Sequence, residues 1–207
     1  MKKAKTGALV LGVAFVWFTT HFGGGFASGA QIYSYFVRYG AWCIVMPVLA
    51  MAYNGIFFAY SLRFARKHQV YDYRSYNNAF YGKFAPVFSN LFELLYLCVM
   101  CVAPAVAFAT LLIGAFIFVV AIFGTDLVRR VASILSICII AGLLIVYLPN
   151  IALNAGKISE AVTSMGEQHL PLGPALYSAF LYGTFQLSNI AVFVQHAKSF
   201  EKPGDAV

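Results

Sequence analysis

Charge is what this sequence has least of. Only 10% of its 207 residues are Asp, Glu, Lys or Arg, against about 25% in a soluble domain. With 61% of the residues hydrophobic, that shortage excludes an ordinary water-facing surface and points to an integral membrane protein. Long polar stretches are also missing, so there is no sign of a second domain, and residues 1–207 are expected to form a single transmembrane unit. Cysteine is sparse. Cys43, Cys98, Cys101 and Cys138 all sit in apolar runs and are expected to be small buried hydrophobes. Cys98 and Cys101 form a C-x-x-C, but no second ligand pair or nearby His joins them, so no metal site is expected.

What charge there is leans positive, with fourteen Lys and Arg against seven Asp and Glu. These cations fall in short segments between apolar runs, where topology signals lie, and imply no nucleic acid partner. Lys2, Lys3 and Lys5 before an apolar region, with "FASGA" beyond, loosely resemble a cleavable leader. The apolar pattern runs on unbroken through Tyr35, which a leader would not need.

Apolar segments run over 7–37, 41–62, 87–123, 131–148 and 175–194. The third is too long for one crossing. Its 37 residues would make a helix of about 55 Å against a hydrocarbon core of about 30 Å. Splitting it into 87–109 and 110–123, with the N-terminus cytoplasmic, puts twelve of the fourteen Lys and Arg inside and leaves only Arg38 and Lys157 outside. A single span there gives nine inside and five outside. The positive-inside rule therefore favours about six spans with both termini cytoplasmic, in the inner cell membrane. The segment 150–174 is too polar to cross and is expected to be an external loop with a short amphipathic helix. The inner loop "RFARKHQVYDYRSYNNAFYGKF" mixes Tyr with basic residues; it reads either as a plain topogenic loop or as a segment facing anionic lipid.

The first apolar segment contains "HFGGGFASGAQ", His21 to Gln31. Each glycine in a helix interior costs about 1 kcal/mol, so Gly23, Gly24 and Gly25 make this the easiest place in the span to unwind. Unwound backbone at membrane depth survives only when it is buried in protein or lines a watery cavity, where it can bind a solute. A packing reading competes, because Gly25 and Gly29 form the G-x-x-x-G of close helix pairs. His21 and Ser28 beside the glycines favour a site, although His21 alone also fits an interhelical histidine with its bonds satisfied. The last span repeats the pattern: Gly183, Thr184, Gln186, Ser188 and Asn189 are small or polar at mid-span. Two interrupted helices, the first and the sixth, point to a transporter site.

"GGGFASGAQIYSYFVRYGAW", "FARKHQVYDYRSY", "APAVAFAT", "GTDLVRRVASILS" and "FLYGTFQLSNIAVFVQHA" together resemble the YkvI-type bacterial membrane proteins, relatives of the amino acid, polyamine and organocation superfamily. The resemblance implies an all-α polytopic bundle with a LeuT-like fold, here the first repeat plus helix six, and a solute between the broken centres of helices one and six. On that resemblance the first break is Gly23, Gly24, Gly25, Phe26, Ala27 and Ser28, and the second is Gln186, Leu187, Ser188 and Asn189. The family's second repeat has four further helices, so the chain resembles a shortened version, expected to be completed by a second copy or another polypeptide. No cofactor is expected, and the coupling ion, Na+ or H+, stays open.

The leading functional reading is a secondary transporter for a small polar or amino-acid-like solute. Its rival is a non-transporting membrane subunit or truncated product that associates through Gly-rich faces. An enzyme is not expected, because His21 and Glu93 are the only mid-span base and acid and no nucleophile accompanies them. Glu93 is a candidate for proton coupling, or simply reaches the inner interface.

Overall fold

A computed structural model describes residues 2–101, 115, 124–167 and 170–206. Among these residues every regular element is helical. The helices are α1 (Lys2–His21), α2 (Gly24–Ala27), α3 (Ala30–Tyr35), α4 (Met46–His68), α5 (Tyr73–Tyr81), α6 (Ala85–Cys101), α7 (Gly124–Leu153), α8 (Ala155–Glu167), α9 (Leu172–Leu187) and α10 (Ile190–Phe193). Tight 3-10 turns at Val37–Cys43, Gly82–Phe84, Val194–Ser199 and Pro203–Ala206 join or follow them.

Among the described residues two helices are long and apolar enough to cross a membrane, Met46–His68 and Leu127–Leu153. A third apolar stretch, Gly7–His21, is shorter. The expected division between 87–109 and 110–123 lies outside the described residues. The helix over the fourth apolar segment, 131–148, is longer than expected. It continues past Pro149 to Leu153, and its Asn150 amide turns back to donate to the Val146 carbonyl at 2.9 Å. Cys138 on α7 is exposed and Cys43 half-buried, which corrects the expectation that both are buried, because lying in an apolar run does not by itself bring cover from the rest of the chain.

The chain divides into two compact units. The first comprises Met1–Ala14, Ala59–Ala132 and Ser188–Val207. Its centre is the Tyr76 ring, buried on α5, edge-on to Phe64 and stacked on Phe80. The segments Ile190–Phe193 and Val194–Ser199 pack on α5. Asn77 donates to the Ser89 hydroxyl at 2.9 Å, tying α5 to α6. Helix α4 ends in a left-handed residue, Gln69 (φ 56), followed by a Val70 N–H that returns to the Ala65 carbonyl at 3.0 Å. That return bond satisfies one of the last carbonyls of α4 and turns the chain toward α5.

The second unit comprises Phe15–Phe58 and Ser133–Leu187. Its core is Phe36, Met46, Ala50, Ala175, Ala179 and Tyr182, with Tyr35, Trp42 and Met51 against it. Small residues on α9 let aromatic rings approach, and Tyr182 packs on both Tyr35 and Phe36 at ring separations of 5.2 and 5.1 Å. Polar bonds pin the backbone around this core. The Ser178 hydroxyl donates to the Tyr35 carbonyl at 2.9 Å, the Trp42 indole to the Leu170 carbonyl at 3.0 Å, and the Ser136 hydroxyl to the Phe15 carbonyl at 3.1 Å.

Candidate functional site

The first helix stops at His21, and Phe22 and Gly23 leave the helical path. The break is not the single unwound Gly23–Gly25 run that composition suggested. Gly24 and Gly25 instead open the short helix α2, held by Phe26 N–H on the Gly23 carbonyl and Gly29 N–H on the Phe26 carbonyl, both at 3.0 Å. Bonds of this three-residue spacing tighten the chain without extending α1, so the interruption becomes two steps, at Phe22–Gly23 and at Ser28–Gly29. Gly29 carries the turn into α3 with a φ of 76, a conformation that L side chains rarely adopt. A β-carbon at Gly29 would meet nothing within 4 Å, and the nearest atoms to one at Gly25 belong to the Gln31 side chain, at 3.0 Å. Among the described residues of this chain, Gly29 serves the turn into α3.

Below the break lies a cavity of about 230 Å³. Trp17 and Phe22 from the end of α1, Phe26 from α2, Phe36, Met51 from α4 and Tyr182 from α9 supply much of its wall, with His21 among them. The lining is aromatic because α1 carries rings at Trp17, Phe18, His21 and Phe22, a spacing that brings them to one side of a 3.6-residue helix. The ring pairs Trp17–His21, Phe18–Phe22 and Phe22–Phe26 continue this surface across the break at 4.6, 5.8 and 5.0 Å.

Beside the cavity, Asn54 of α4 is fully buried, at 0% exposure. Its Oδ1 accepts from the Trp17 indole at 3.3 Å and lies 3.0 Å from His21 Nε2, while its Nδ2 donates to the Gly183 carbonyl of α9 at 3.0 Å. One carboxamide thus joins three helices. Sequence reasoning missed Asn54, although a lone Asn at the centre of the apolar run 41–62 is a polar group that demands partners in a membrane. It missed Trp17 and Tyr182 as well, because aromatic residues are common throughout the chain and carry no distinguishing pattern.

Of the residues singled out from the sequence, His21 and Phe26 line the cavity. Gln186 is buried and donates to the Tyr182 hydroxyl at 3.3 Å, so it reaches the same wall at one remove. Gly23 is exposed at the break, Gly24 and Ala27 begin and end α2, and Gly25 is half-buried. Ser28 is exposed, with its hydroxyl donating to the Gly25 carbonyl at 3.2 Å. The second interruption falls at Ser188 and Asn189, between α9 and α10; both belong to the first unit, as does the exposed Glu93 on α6. Among the described residues no group of three or more His, Cys, Asp and Glu could hold a metal ion. No family model, curated protein or solved structure matches the chain.

Proposed function

We propose that the chain is a multi-pass protein of the inner cell membrane, with both termini cytoplasmic, acting as a secondary transporter for a small polar or amino-acid-like solute. The observation that supports it most is the interruption of α1 beside an aromatic cavity of about 230 Å³, a volume close to the range of small-molecule sites. The further interruption at Ser188–Asn189 is in keeping with a LeuT-like first repeat plus helix six, as the resemblance to the YkvI-type proteins implies. The solute end that enters the cavity meets an apolar wall of rings, to which His21 and Tyr182 contribute carbon atoms while their polar atoms are turned to partners inside the protein. An amino-acid-like solute with an apolar or aromatic side chain fits that wall better than a sugar or an inorganic ion.

Uptake of pooled radiolabelled amino acids and amines into proteoliposomes tests the reading. Uptake above that of empty vesicles is expected, competed best by apolar members of the pool. Gly23 has open space around it, so Gly23→Ala adds no clash and favours continuation of α1 by up to about 1 kcal/mol; it is expected to slow uptake without lowering the yield of folded protein. Vesicles with helical, monodisperse protein that accumulate nothing from any pool would sink the proposal.

A further inference from the structure

His21 is held at both ring nitrogens by oxygen atoms that can only accept. Its Nδ1 lies 2.7 Å from the Trp17 carbonyl oxygen and its Nε2 lies 3.0 Å from Asn54 Oδ1. A carbonyl has no hydrogen to give, so Nδ1 must carry one. The Thr20 hydroxyl, 3.3 Å from Nδ1, does not replace it, because that hydroxyl donates to the same Trp17 carbonyl at 2.7 Å. The orientation of Asn54 is fixed by its other neighbours. The Trp17 indole is a donor only and the Gly183 carbonyl an acceptor only, so turning the carboxamide over would oppose hydrogen to hydrogen and oxygen to oxygen. Oδ1 therefore faces the imidazole, and Nε2 must donate too. A neutral imidazole has one hydrogen for these two positions, whereas an imidazolium has two.

The surroundings suit the charged ring. His21 is the last residue of α1, where unpaired carbonyls and the negative end of the helix dipole favour a cation. The Trp17 and Phe58 rings lie at 4.6 and 6.0 Å from the imidazole, within the range at which aromatic faces attract a cation. From α4 the ring meets Asn54 and Phe58, and on α1 it meets Trp17 and Thr20. Among the described residues, the cavity wall that it shares holds one other titratable group, the Tyr182 phenol of α9, and no carboxylate, Lys or Arg.

We propose that His21 is a proton-binding site, whose occupied form locks α1 to α4 and α9 through Asn54. Proton release takes H+ from Nε2 to water and leaves the electron pair on that nitrogen, while Nδ1 keeps its hydrogen on the Trp17 carbonyl. The Nε2 lone pair then opposes Asn54 Oδ1 and the link opens next to the Phe22–Gly23 break. Coupling of this step to solute movement rests on the transport reading above; the proton site itself does not.

Nitrogen-15 NMR of histidine-labelled protein in lipid nanodiscs tests it, with the His21 signals assigned by their loss in His21→Gln. The expected result is a His21 ring with hydrogen on both nitrogens that gives up the Nε2 hydrogen when the pH is raised, with the Trp17 indole signal moving in step. Asn54→Asp puts a carboxylate at the same acceptor and is expected to move the midpoint to higher pH; Asn54→Leu removes the acceptor and moves it lower. If Asn54→Leu does not fold, the unsubstituted protein decides alone. A His21 that stays in one neutral tautomer throughout the titration, with the fold intact, overturns the proposal. A titrating His21 in protein that transports nothing would leave the proton site standing and sink the transport reading instead.

Discussion

Asn54 and Gly183 depend on each other. The Gly183 carbonyl can reach the Asn54 amide at 3.0 Å because α9 approaches α4 closely at a residue without a side chain. A β-carbon at position 183 would lie 2.6 Å from Tyr53 Cδ1 and 3.4 Å from the Ala50 carbonyl. The Tyr53 ring cannot swing away freely, since Phe57 and Phe180 pack on it at ring separations of 4.9 and 5.4 Å. Gly183→Ala is therefore expected to destabilise the fold by about 1–3 kcal/mol, the usual cost of overpacking, and to pull the carbonyl from Asn54. Thermal unfolding in detergent checks this, and an unchanged or higher midpoint would mean that the close approach is not a feature of the folded protein. The sequence marked Gly183 as part of a small and polar run, which was sound as far as it went. What it hid was the partner. The residue opposite a glycine is set by helix packing between segments 129 positions apart, and nothing in the local spacing of either segment encodes that pairing.

Among the elements, α5 is the one whose start is most clearly written in its residues. Asp72 is extended (φ −113, ψ 158) and its carboxylate accepts from the Ser75 N–H at 2.9 Å, satisfying an amide that the first turn cannot. Hydrogen bonds from Ser75, the hydroxyl first and the backbone N–H next, hold the Asp72 carboxyl below the usual carboxylate value. A carboxyl with a depressed folded-state pKa stabilises the fold above its ordinary value of about 3.9, and the contribution is lost as pH falls through the depressed value. Asp72→Ala is expected to cost about 0.5–1 kcal/mol, toward the low end for a capping residue because the carboxylate is almost fully exposed. Asp72→Asn keeps a cap but has no proton to gain, so its melting temperature should lose this acid dependence; a variant that falls with acid as steeply as the parent would refute the assignment. Tyr76, buried on this helix, has its hydroxyl pushed up to about 12 chiefly by burial, so it stays neutral throughout. The sequence reading took the stretch around α5 as a basic and aromatic inner loop and saw no helix in it. Its stop and start signals, the basic last turn of α4 and the Asp72 cap, were legible. Its reason for folding, the Tyr76 ring enclosed by Phe64 and Phe80, is tertiary. The short helix foreseen within 150–174 had a clearer local signal, and α8 occupies Ala155–Glu167.

At the scale of the whole molecule, composition was the most informative signal and site geometry the least. A chain this poor in charge reads as helical and membrane-seeking before any residue is examined, and α4 and α7 have the required length and apolarity. The place of the first interruption was legible because glycine acts locally. Its two-step form was not, because it depends on Gly29 taking a left-handed turn and on bonds that close after Gly23. Charge placement leads to the last prediction. Exposed apolar side chains along α7, such as Ile145, Val146 and Leu148, suit lipid, and with two crossings within 87–123 only Arg38 and Lys157 of the fourteen basic residues would face outward. Single cysteines in a background with Cys43, Cys98, Cys101 and Cys138 replaced by Ser report the side directly. A membrane-impermeant maleimide added to intact cells should label Lys157→Cys, on the exposed helix α8, and should leave Lys202→Cys unlabelled until the membrane is opened. The reverse pattern, Lys202→Cys labelled from outside and Lys157→Cys protected, would mean an odd number of crossings between the amino terminus and Lys202. Arg129 and Arg130 would then lie on the outer side with Lys198 and Lys202, the charge asymmetry would shrink to nine against five, and the proposed arrangement with both ends in the cytoplasm would fall.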